Sequence, residues 1–121
     1  MKNLVAGFSG QLKEAIQIGE KAILTKSGKR PEHVLVCGLG GSGIGGSIVA
    51  ELVALEAHVP VLVSKGYFIP AYVSEASLVI ISSYSGNTEE TLFCLEQALQ
   101  KKAKIVCVSS GGKISDIARE Q

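Results

Sequence analysis

Residues 83 to 91 read Ser-Tyr-Ser-Gly-Asn-Thr-Glu-Glu-Thr. The hydroxyls of Ser83, Ser85 and Thr88 are neutral donors that can converge on one small anion. Gly86 removes the side chain where backbone N–H groups must turn toward such a ligand. Leu78-Val79-Ile80-Ile81, just upstream, is the continuous apolar run of a strand covered on both faces. Downstream, Asn87 or Thr88 can cap a helix that opens with Glu89 and Glu90 and continues through Leu92, Leu95 and Leu99. Its positive dipole end enters the same space as the hydroxyls. The chemistry this arrangement offers is the cradling of a phosphate without a cation in the loop.

A second small-residue stretch, Gly38 to Ser47, follows the apolar run Val34 to Cys37. So many glycines imply left-handed backbone, or close approach of the main chain to a ligand or a facing helix. Gly38-x-Gly40-x-x-Gly43 also fits the dinucleotide fingerprint, which asks for an acid at the end of the next strand. Ser64 and Lys65 stand there instead, so a nucleotide-binding oxidoreductase is the weaker reading.

General acids and bases are scarce around these loops. Glu89 and Glu90 sit in a helix's first turn, where the dipole stabilises carboxylate and opposes a base poised near neutral pH. His33 and His58 both precede strands and so belong to the other edge of a parallel sheet. No catalytic residue is assigned within this chain.

These residues need a scaffold, and the hydrophobic pattern supplies one. Phe8 to Lys26 reads as an amphipathic helix with Phe8, Leu12, Ala15, Ile16, Ile23 and Leu24 on one stripe. Strand Val34 to Cys37, helix Ile48 to Ala57 and strand Val59 to Val63 follow. Ser64 to Val73 is a connection with one helical turn near Ala71; the strand at Leu78 leads to a helix ending near Lys101. Lys104 to Val108 is another strand, Ser109 to Gly112 a loop, and Ile114 starts a last helix. Repeated strand–loop–helix steps predict an α/β fold: a three-layer αβα sandwich with a doubly wound, flavodoxin-like parallel sheet. In the order 2-1-3-4 the glycine and serine loops would face each other across the crevice where strand order reverses.

With 121 residues the chain is one domain; 46% hydrophobic and 19% charged residues make it globular. A net charge of +1 gives no case for nucleic acid or an anionic membrane surface. Cys37, Cys94 and Cys107 lack metal-ligand spacing and an even count, so free buried thiols are expected, and neither a metal nor a cofactor is called for. The uncharged stretch Val34 to Ala50 is too short and too glycine-broken to span a bilayer. A soluble, cytoplasmic protein is expected.

Ser83-x-Ser85-Gly86-x-Thr88-x-Glu90-Thr91 resembles the signature of the sugar isomerase (SIS) domain family, whose members bind phosphorylated sugars. Together with the run from Cys37 to Gly46 it is similar to one branch, the bifunctional phosphoglucose/phosphomannose isomerases, from about Pro31 to the end of the chain. The resemblance implies that Gly41, Ser42, Ser83, Ser85 and Thr88 hold the substrate phosphate. It implies interconversion of glucose 6-phosphate and mannose 6-phosphate with fructose 6-phosphate, and a homodimer. The family's catalytic Glu, His and Lys come from a second SIS domain. The chain would then be the N-terminal part of a two-domain protein, cut before its last strand and before an arginine that helps hold the phosphate. The alternative within the family is a non-catalytic module that senses a phosphosugar.

Overall fold

The computed structural model describes residues 1–24 and 28–120. Two helices, α1 (Lys2–Ala6) and α2 (Phe8–Lys21), precede β1 (His33–Cys37). Then come α3 (Gly40–Val53), β2 (Val61–Ser64), β3 (Ser77–Ser82), α4 (Glu89–Gln100), β4 (Lys104–Val108) and α5 (Gly112–Glu120). The strands form one parallel sheet in the order β2-β1-β3-β4. That is the expected doubly wound α/β architecture, with the reversal of strand order between β1 and β3.

Alternation along the strands divides the layers. Leu35, Cys37, Val79 and Ile81 point to one face, where they pack with Cys94, Leu95 and Ala98 of α4 and Ile114 of α5. Burying each large aliphatic here stabilises the fold by roughly 1.5–3 kcal/mol. Val36 and Val63 point to the other face and meet α3 at Gly46. A Cβ on Gly46 would lie 2.9 Å from Val36 Cγ1 and 3.3 Å from Val63 Cγ1, so the helix rests directly on the strands.

This contact explains the largest departure from the sequence reading. The glycine run is not a long loop before a helix at Ile48: α3 starts at Gly40 and ends at Val53 rather than Ala57. Glycine's poor helix propensity predicted a loop, but close packing on the sheet outweighs it. Strand β2 likewise starts two residues later than expected, after Pro60, which lacks the N–H for a ladder.

The connection from β2 to β3 has a hydrogen-bonded turn at Ala71 and Tyr72, with Val73 N donating to Pro70 O at 3.2 Å, but not the helical turn expected near Ala71. It buries Ile69 and Val73 in the core and is strapped to α4. Gln97 Nε2 donates to Tyr67 O at 2.7 Å, and Ile69 N donates to Gln97 Oε1 at 3.3 Å. Cys94 Sγ donates to Gly66 O at 3.3 Å and Lys101 Nζ to Ala71 O at 3.2 Å.

The stripe expected on α2 is present but not buried. Phe8, Leu12 and Ile16 are exposed, and the element that α2 packs against among the described residues is its neighbour α1. An amphipathic face needs a second apolar surface, and none in the described part of the chain meets it. The helix ends at Lys21, with Ala22 extended, so Ile23 and Leu24 lie beyond it; Thr25 and Lys26 lie outside the described residues. All three cysteines are free, Cys37 and Cys94 buried and Cys107 half-buried. No helix among the described residues is long and apolar enough to cross a membrane.

Candidate functional site

Parallel register brings the two singled-out loops to the same edge. Cys37 pairs with Ile81 and with Ser64, so β1, β2 and β3 end level with one another. Gly38 N donates to Ser64 O at 3.1 Å, which fixes the start of the glycine run. Gly41 and Ser42 then occupy the first turn of α3, whose N-cap position is Leu39 and makes no side-chain cap bond. Backbone N–H groups of that turn have no partner inside the helix.

Across the crevice, Ser83 follows directly on β3, and its N donates to Val108 O at 3.0 Å. Its buried hydroxyl lies 2.9 Å from Thr88 Oγ1 and accepts from Gly86 N at 3.2 Å. Ser85 is exposed, and its Oγ accepts from Asn87 N at 3.2 Å, leaving its proton for another acceptor. Thr88 stands at the N-cap position of α4 without a side-chain cap bond, because its hydroxyl is turned to Ser83. The first turn of α4 therefore presents open N–H groups beside three hydroxyls. Such a set fits an anion with several acceptor oxygens.

Asn87, read from sequence as a possible cap of α4, serves a different helix. Its Oδ1 accepts from Lys113 N at 3.0 Å in the first turn of α5. Ile114 N donates to Gly86 O at 3.0 Å, and Ser110 N to Tyr84 O at 3.1 Å. The serine loop is thus latched onto the loop after β4. Gly86 has φ of 68°, and a Cβ there would collide with the carbonyl of Gly111, so only glycine fits.

Acids and histidines are arranged as the sequence implied. Glu89 and Glu90 lie in the first turn of α4. Tyr67, not foreseen because nothing marks it within a connection, donates its hydroxyl to Glu89 Oε2 at 3.2 Å and packs edge-on against Phe93. The hydrogen bond to Glu89, first, and then burial and the acidic charges hold its phenol above the ordinary tyrosine range. His33 sits at the opposite edge, 2.8 Å from Ser77 Oγ and edge-on to Tyr72. A hollow of about 530 Å³ at that edge is lined by Lys29, Arg30, Glu32, Glu75 and Lys104, and by none of the loop residues above.

Comparison with known proteins agrees with this geometry. The SIS domain model matches residues 29–121. The bifunctional phosphoglucose/phosphomannose isomerase of Caldicellulosiruptor bescii is 41% identical over 91% of this chain and 32% of its own length. The protein of the same description from Thermoplasma acidophilum is 42% identical over 70% of this chain and 26% of its own length. The chain thus spans about a third or less of these relatives. Among solved structures, one from Clostridium difficile 630 assigned as a phosphosugar isomerase superposes with a TM-score of 0.74 at 19% identity, covering 87% of this chain and 32% of that one. At that identity the likeness speaks for the fold. From the matched domain model, the shared topology and the serine loop between β3 and α4, this chain belongs to the SIS domain family.

Proposed function

We propose that this chain is the sugar-phosphate-binding domain of an aldose–ketose isomerase that interconverts glucose 6-phosphate and mannose 6-phosphate with fructose 6-phosphate. The observation that carries the reading is the open first turn of α4 beside Ser83, Ser85 and Thr88, at the same sheet edge as the first turn of α3, where the neighbouring strands β1 and β3 end. Ser83, Ser85 and Thr88 supply hydroxyls to the phosphate, and Gly41 and Ser42 supply backbone N–H groups from the other side. The names of the relatives motivate the choice of hexose phosphates.

Proton transfer between C1 and C2 needs a general base and acid help with ring opening. Glu89 and Glu90 are poorly suited at a helix N-terminus; the family resemblance implies that the catalytic groups lie outside this chain, in a second SIS domain of the intact protein. The intact protein works as a cytoplasmic homodimer, and its reaction requires no cofactor or metal.

Calorimetric titration with fructose 6-phosphate, glucose 6-phosphate and NADP tests the binding, with the sugar phosphates expected to bind and NADP not. A coupled assay for glucose 6-phosphate formed from fructose 6-phosphate tests the division of labour. The 121-residue chain should bind weakly and turn nothing over. Turnover abolished by Glu90→Gln would place the base in this chain and overturn the assignment.

A further inference from the structure

The loop after β2 also ends at the ligand edge, and its first residue, Lys65, does not run free into solvent. Its Cγ lies 3.2 Å from where a Cβ of Gly43 would sit, so its stem lies along the first turn of α3 in the space glycine leaves. Ser64 O is tied to Gly38 N on one side, and Ser64 Oγ donates to Phe68 O at 3.1 Å on the other. Gly66 O accepts from Cys94 Sγ of α4, the helix that begins at the serine loop. The backbone on either side of Lys65 is therefore fixed relative to both loops. No hydrogen bond or ion pair joins Lys65 to another described residue, and α3 has no acid in its first turn. The positive end of α3 has no acidic side chain in its first turn, while Glu89 and Glu90 temper the serine-loop side.

We propose that Lys65 is a further substrate-binding residue of this site, giving its ammonium group to the phosphate of the bound sugar phosphate from the glycine-loop side. The proposal rests on the reading that a phosphosugar occupies the crevice. Lysine suits this place because a compact point charge on a flexible stem serves a phosphate without imposing bidentate geometry.

Calorimetric titrations of the chain with fructose 6-phosphate and, separately, inorganic phosphate at low and high ionic strength test it. Lys65→Met should lower affinity for both by about tenfold at low salt and flatten the dependence on salt, since one ionic contact is gone. Lys65→Arg should retain most of the affinity and the salt slope. Lys65 is exposed, so circular dichroism and the unfolding midpoint should be unchanged. Parent-like affinity and salt slope in Lys65→Met, with Ser85→Ala weakened, would overturn the role of Lys65 and leave the phosphosugar site standing. No binding by the parent chain would overturn both.

Discussion

Ser83 Oγ and Thr88 Oγ1 lie 2.9 Å apart, and this contact turns the Thr88 hydroxyl away from the helix it precedes. A threonine at an N-cap position normally accepts from an N–H two or three residues on. Here that N–H receives no side-chain cap. Thr88→Val keeps the shape but removes the hydroxyl. Titration should show sugar-phosphate affinity falling by roughly ten- to a hundredfold, as for losing a hydrogen bond to a charged group. Ser85→Ala should fall in the same range, since its proton has no acceptor in the loop. Both variants with unchanged affinity and intact fold would mean the phosphate lies elsewhere.

Gly46 and Gly45 should respond oppositely to the same substitution. Gly46→Ala inserts a methyl 2.9 Å from Val36 Cγ1 and should destabilise the domain by about 1–3 kcal/mol through overpacking. Gly45→Ala meets nothing within 4 Å and should stabilise α3 by roughly 0.5–1 kcal/mol. Urea unfolding of the two variants checks both signs.

Gln97 holds the β2–β3 connection by two hydrogen bonds, one as donor and one as acceptor. Gln97→Ala leaves the N–H of buried Ile69 without its partner and should cost about 1–3 kcal/mol. Hydrogen exchange should quicken at Ile69 and its neighbours and stay unchanged in β1 and β3. Uniform quickening would show that the connection opens only with the whole domain.

Burial pushes the Cys107 thiol above its ordinary range. The folded protein then keeps this proton at a pH where the unfolded chain releases it. Stability from this group is fully present below the unfolded thiol's value, about 8.5, and is lost as pH rises above it toward the folded one. Urea midpoints should therefore fall between neutral pH and pH of about 9.5, and Cys107→Val should reduce the fall. A variant that declines as steeply as the parent would assign the alkaline loss to other groups.

Much of this was legible in the residues. β4 falls at Lys104–Val108 as read; uniform apolar runs imply a parallel sheet, and the order 2-1-3-4, entertained from the flavodoxin-like fold class, is the one observed. Ser83, Ser85 and Thr88 stand together in the loop their spacing implied. Gly41 and Ser42 arrive at the same edge, but on a helix rather than a loop. Propensity carries no information about Val36 and Val63, which make a glycine helix worthwhile. Of the two cap candidates Thr88 takes the N-cap position, and local pattern could not show that Asn87 instead meets Lys113, 26 residues away. The stripe of α2 was read correctly as a pattern, but a pattern does not say where its surface is met.

The latch between the serine loop and the start of α5 has a consequence for synthesis. A chain emerging N-terminus first completes β3 and the loop after it well before Ser110, Lys113 and Ile114 exist. Until those residues leave the ribosome, Tyr84 O, Gly86 O and Asn87 Oδ1 lack the N–H donors whose hydrogen bonds they accept in the folded domain. The latch on the serine loop is therefore completed late, from the side of the chain that follows it. A nascent chain arrested before residue 109 would carry the whole serine loop but none of the N–H donors from Ser110, Lys113 and Ile114 that latch it.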